Sequence, residues 1–156
     1  MLIYYSLIYP TIIYCLPVWG GASHEALRPL DTVQKRAVRN IAGLRFRDHT
    51  ASAFKDLKML KLHDIITFFT AVFVYKSLHG HVDYANNFSH NPNNPYATRY
   101  HSHLQPDRVT SSQSQTHINY RGTSVFNNIP TEIKIKQTLY TFKTSLKKYL
   151  LSLSTD

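Results

Sequence analysis

The sequence predicts a mainly α-helical protein, a helical bundle followed by a small α+β tail. Three observations carry this. Between Ser23 and Gly43, apolar residues recur at intervals of three and four. From Leu62 to Leu78 the chain is apolar on almost every side, which suits a helix at the centre of a bundle. Near the end, Leu139, Phe142, Leu146, Tyr149, Leu150 and Leu153 form one stripe.

Residues 1–20 carry four tyrosines among leucines and isoleucines, with Pro10 and Pro17. The spacing predicts a core helix kinked or broken at the prolines. It lacks the positive start of a signal peptide, and its tyrosines and prolines argue against a membrane span. The tyrosines are expected to pack in the core, and Cys15 to be an inert core residue in an apolar helix. Ser23 is the expected N-cap of the next helix, with Glu25 in its first turn and Gly43 at its end. Its inner face reads Leu30, Val33, Ala37, Ile41 and Leu44, and its outer face Arg28, Thr32, Lys35 and Arg39. A short helix from Thr50 carries Phe54 and Leu57, and the long apolar helix from Leu62 closes at Gly80.

The expected bundle covers residues 1–81. An Asn/Pro-rich linker, 82–97, separates it from the tail, 98–156. There, His101–Val109 and Thr116–Tyr120 read as extended pieces around the polar run Thr110–Gln115, the pattern of a β-hairpin. Pro130 with Thr131 and Glu132 starts a helical turn, and an amphipathic basic helix over about Thr138–Ser152 ends the tail.

In 156 residues, 43% hydrophobic and 13% aromatic, there is material for a true core. Eighteen Lys and Arg against nine Asp and Glu give a formal charge of +9, which suits a polyanion such as nucleic acid or an anionic membrane surface. A single cysteine excludes an internal disulfide and fits a reducing, intracellular compartment, nuclear or cytoplasmic.

The cations are clustered. Val33–Arg47 holds Lys35, Arg36, Arg39, Arg45 and Arg47 with no acid, and residues 133–155 hold Lys134, Lys136, Lys143, Lys147 and Lys148 with none. Basic helix faces of this kind reach several phosphates at once, and arginine forks onto phosphate bidentately. The plainer alternative is a solvated helix face. Lys35, Arg36, Arg39, Arg45, Arg47, Lys143 and Lys147 are the candidate nucleic-acid-binding residues. No catalytic residue is assigned: there is no nucleophile elbow, no Gly-rich phosphate loop and no pair of closely spaced acids. The pairs His79/His81 and His101/His103 lack the further ligands of a structural zinc site, so no metal is assigned.

One order of motifs is specific in combination. Ser6-Leu7-Ile8-Tyr9-Pro10 precedes Tyr14-Cys15, Trp19-Gly20 and Gln34-Lys35-Arg36-Ala37-Val38-Arg39. Further on come Tyr96-Ala97-Thr98-Arg99, Tyr120-Arg121-Gly122 and Val125-Phe126-Asn127-Asn128-Ile129-Pro130. This order resembles the segment after the catalytic palm in reverse transcriptases of non-LTR retrotransposons, LINE-like elements of the Jockey and CR1 type. The resemblance covers nearly the whole chain. Phe126 stands where the family usually has tryptophan and Ile129 where it has leucine, both keeping an apolar role. Tyr84-Ala85-Asn86-Asn87 mimics the family's Tyr-Ala-Asp-Asp signature, but it is misplaced and lacks the carboxylates that hold metal.

The resemblance implies a thumb-like bundle that holds template RNA and nascent DNA through basic helix faces, without sequence specificity. It implies a parent RNA-directed DNA polymerase that uses magnesium, with the palm and its aspartates absent from this chain. Alone, the chain is expected to bind no cofactor, to polymerise nothing, and to self-associate through apolar surface meant for the palm. The alternative is a non-catalytic helical module that binds an anionic membrane surface or a protein partner.

Overall fold

A computed structural model describes residues 1–84, 88 and 103–153. The chain opens with a widened π turn, Tyr4–Ile8, that runs into α1 (Tyr9–Ile13). Pro10 has no N–H for the carbonyl one turn back, and the Tyr9 N–H reaches the Tyr4 carbonyl instead. Before Pro17 the helix does break. Tyr14 becomes extended, Cys15 turns left-handed at φ 49, and α2 (Leu16–Trp19) starts with Pro17 in its first turn, where no donor is needed. This break corrects the expectation for Cys15, which lies exposed at the corner and not in the core.

Helix α3 (His24–Ala42) begins where the Ser23 hydroxyl accepts from the Ala26 N–H at 3.3 Å, and ends at Gly43 with φ 66. Helix α4 (Ala51–Asp56) closes through two carbonyl-satisfying bonds, from Lys58 N–H to Lys55 and from Met59 N–H to Phe54, each 2.9 Å. That closure puts Lys58 at φ 50, a position glycine usually fills.

Helix α5 (Leu62–Leu78) is the hub. Ile65, Ile66, Ala71, Val72, Val74 and Tyr75 on it are buried, and α2, α3, α7 and α9 all pack against it. The tail supplies α6 (Ser112–Gln115), α7 (Ile118–Asn127), α8 (Thr131–Lys134) and α9 (Leu139–Leu153). Phe126, Ile133, Phe142, Leu146 and Leu150 join Ile12, Leu16 and the α5 residues in one continuous core. A smaller core holds Tyr4, Val38, Ala53, Phe54 and Met59.

The expected β-hairpin is corrected. Thr110–Gln115 contains α6, and the supposed second strand contributes to α7, so among the described residues of the tail the regular structure is helical apart from an isolated bridge at Leu104, with residues 105–110 in irregular backbone. The cause lies in packing. Gly122 brings α7 so close to α5 that a Cβ there would lie 2.9 Å from Val74 Cγ2 and 3.2 Å from Phe88. Most of the expected linker, the Tyr96–Arg99 motif, His101 and Ala85–Asn87 lie outside the described residues.

Candidate nucleic-acid interface

Helix α3 presents two faces, set slightly differently from the sequence reading. Val33, expected inside, is 47% exposed, while Gln34 is 0% exposed. The buried stripe thus runs through Gln34 and Val38, with Leu27, Leu30 and Ile41 at its margins. Gln34 tolerates burial because its amide donates to the Tyr4 hydroxyl at 3.0 Å and to the Leu60 carbonyl at 2.9 Å. Its Oε1 has no partner.

Turning the stripe this way leaves Arg28 and Arg36 exposed and Lys35 and Arg39 half-buried at its edge. Lys35 pairs with Asp31 one turn earlier, Nζ to Oδ2 2.6 Å, an acid just outside the acid-free stretch. Arg39 donates through Nε to the Asp48 carbonyl at 3.2 Å. The Asp48 carboxylate accepts from the Arg45 backbone N–H at 2.8 Å, which shapes the turn that holds Arg45 and Arg47 out in solvent. Arg36, Arg39, Arg45 and Arg47 meet no carboxylate among the described residues. Arg36, Arg45 and Arg47 are thus exposed and free to fork onto phosphate, while Arg39 has its Nε engaged and only its terminal nitrogens left for such a contact.

The second cluster divides. Lys134 is occupied: its Nζ donates to the Asn127 carbonyl at 2.9 Å and lies 5.5 Å from the Phe126 ring centre. Burial holds its ammonium below the usual lysine range. On α9, the buried Phe142, Leu146 and Leu150 leave Lys143 half-buried and Lys147 exposed. Lys147 borders a small depression with Tyr4, Tyr5, Tyr9, Met59 and Leu60. The two clusters, far apart in sequence, are linked through Tyr4 and Leu60, which both accept from Gln34.

Two of the described motif residues of the tail make structural contacts. Asn127 clamps Leu104, donating to its carbonyl and accepting from its N–H, both at 2.9 Å. Arg121 is turned inward, with Nη2 donating to the Pro17 carbonyl at 2.7 Å. Its Nε and Nη1 are buried without partners, and desolvation lowers its pKa. Its role is to tie α7 to the α1–α2 corner.

No group of three or more His, Cys, Asp or Glu able to hold a metal occurs among the described residues. A two-magnesium centre therefore has no fit to the described side chains, and no chemistry is derived through one. Nor, among the described residues, is any helix long and apolar enough to cross a membrane.

No protein-family model, curated protein or solved structure matches this chain. Its function rests on its own residues. Tyr5 carries no site signal in the sequence; only the tertiary approach of Lys147, which lines the same depression, gives it significance.

Proposed function

We propose that this chain is a non-catalytic, thumb-like nucleic-acid clamp from a non-LTR retrotransposon reverse transcriptase. It grips the backbones of template RNA and nascent DNA while a palm domain of the parent polymerase performs the magnesium-dependent chemistry. The single observation that carries the reading is the outer side of α3 and its following turn, where Arg36, Arg39, Arg45 and Arg47 meet no carboxylate among the described residues. Phosphate contacts dominate nucleic-acid affinity and carry no sequence information, so such a surface binds duplexes of many sequences. The motif order described above supplies the family. An intracellular setting follows from the same reading.

The test is binding of the full chain to an RNA–DNA hybrid across a salt series. Affinity is expected to fall linearly with salt on logarithmic axes, with little dependence on base composition. Primer extension with magnesium or manganese is expected to stay at background, because no acid pair is present to bind two ions.

A second reading has its own observation. Leu2, Ile3, Leu7, Tyr14 and Val18 are exposed along the first two helices. In the polymerase reading this row meets the palm, and in the chain alone it drives self-association. In the alternative it meets an anionic membrane or a protein partner. Stronger, salt-resistant binding to anionic vesicles than to the hybrid would favour that alternative.

A further inference from the structure

The depression beside Lys147 combines features that the duplex grip does not need. Its wall is a group of tyrosines: Tyr4 and Tyr5 meet edge to face with ring centres 5.1 Å apart, and Tyr5 and Tyr9 at 5.5 Å. Tyr4 is buried and Tyr9 half-buried, but Tyr5 is 43% exposed and offers ring surface to solvent. Met59 and Leu60 are buried at its edge. One cation lines it, Lys147 from α9.

The free space here is only about 20 Å³, enough for roughly one water and far too small for a base. Recognition must therefore occur on the surface. A ring beside an ammonium group suits an unpaired base, because every base has a face to stack and a phosphate close by. A duplex keeps its base faces covered and could use only the lysine.

We propose that this depression is a binding site for single-stranded nucleic acid, with one base stacked on Tyr5 and an adjoining phosphate held by Lys147. It rests on the chain being a nucleic-acid binder and adds a second, strand-selective surface to the guanidinium side of α3. In a polymerase, such a surface would hold a strand before or after pairing.

The experiment uses the full chain, a fluorescent twelve-nucleotide single strand, the matching duplex and anionic vesicles. The variants are Tyr5→Leu, Tyr5→Phe and Lys147→Gln. Tyr5→Leu is expected to weaken single-strand binding about 5- to 140-fold while leaving its salt slope and duplex affinity unchanged. Tyr5→Phe keeps the ring and is expected to restore binding, which separates stacking from a folding defect. Lys147→Gln is expected to lower the single-strand salt slope by about one contact. Equal losses on single strand and duplex, no loss in Tyr5→Leu, or a loss confined to vesicles would each overturn the proposal. If Tyr5→Leu loses nothing while the duplex still binds, only the strand-selective site fails. If the unaltered chain binds neither nucleic acid, the clamp reading fails with it.

Discussion

Gln34 on α3 and Tyr4 in the first turn are joined by a buried hydrogen bond of 3.0 Å, although thirty positions separate them. The same amide holds the Leu60 carbonyl, so one side chain ties together the N-terminal helix, α3 and the turn before α5. The basic side of α3 owes its orientation to this contact, since burying Gln34 fixes which residues face outward.

Gln34→Ala is therefore expected to destabilise the chain by about 2–4 kcal/mol, combining a cavity with two abandoned partners in the interior. Tyr4→Phe, which removes one hydroxyl, is expected to cost about 0.5–1.5 kcal/mol. Urea unfolding followed by circular dichroism measures both. Equal, negligible losses would show that the contact does not position α3.

Gly122→Ala sets two effects against each other. Alanine favours helix over glycine by about 1 kcal/mol. A methyl 2.9 Å from Val74 Cγ2 must push α7 away from α5, at about 1–3 kcal/mol. The clash is expected to win, with a net loss of up to about 2 kcal/mol in the same unfolding assay. A gain in stability would mean that α7 and α5 are not in close contact.

Tyr9 gives a pH dependence of defined sign. Its folded pKa, about 12, lies above the ordinary value of 10.0, chiefly through burial and then through Tyr4 and Tyr5. The stability it contributes is complete below pH 10 and is lost as pH rises toward 12, since the unfolded chain ionises first. Lys134 acts in the opposite direction, because its lowered pKa means the unfolded chain holds its proton longer. Unfolding free energies compared at pH 8 and pH 11.5 should fall more steeply in the unaltered protein than in Tyr9→Phe. Parallel falls would remove Tyr9 as the cause.

Lys58→Gly is expected to raise stability by about 0.5–1 kcal/mol, since relief of the left-handed backbone outweighs the added freedom of the unfolded chain. A loss of stability would mean that the Lys58 side chain packs more than its exposure indicates.

The long helices were legible because their signals are local. Ser23 and Gly43 bracket α3, Leu62–Leu78 is apolar all round, and the stripe of α9 repeats on schedule. What escaped the sequence depends on distant partners. Gln34 carries no hydrophobic signal, and only Tyr4 and Leu60 make its burial tolerable, so Val33 looked like the better core residue. Thr116–Tyr120 resembles a strand until Gly122 seats the following turns on Val74 as a helix. The cations of α3 could be found from charge runs, but not the pairing of Lys35 with Asp31, nor the meeting of Lys147 with the tyrosines.

If the outer side of α3 grips phosphates, the salt slope of hybrid-duplex binding must change in an Arg36→Ala/Arg39→Ala variant. Lys35→Ala serves as the comparison, because Lys35 already has a carboxylate partner. Weaker binding and a slope reduced by up to about two contacts are expected in the double variant, with a clearly smaller change for Lys35→Ala. An unchanged slope and affinity in a folded double variant would contradict that grip.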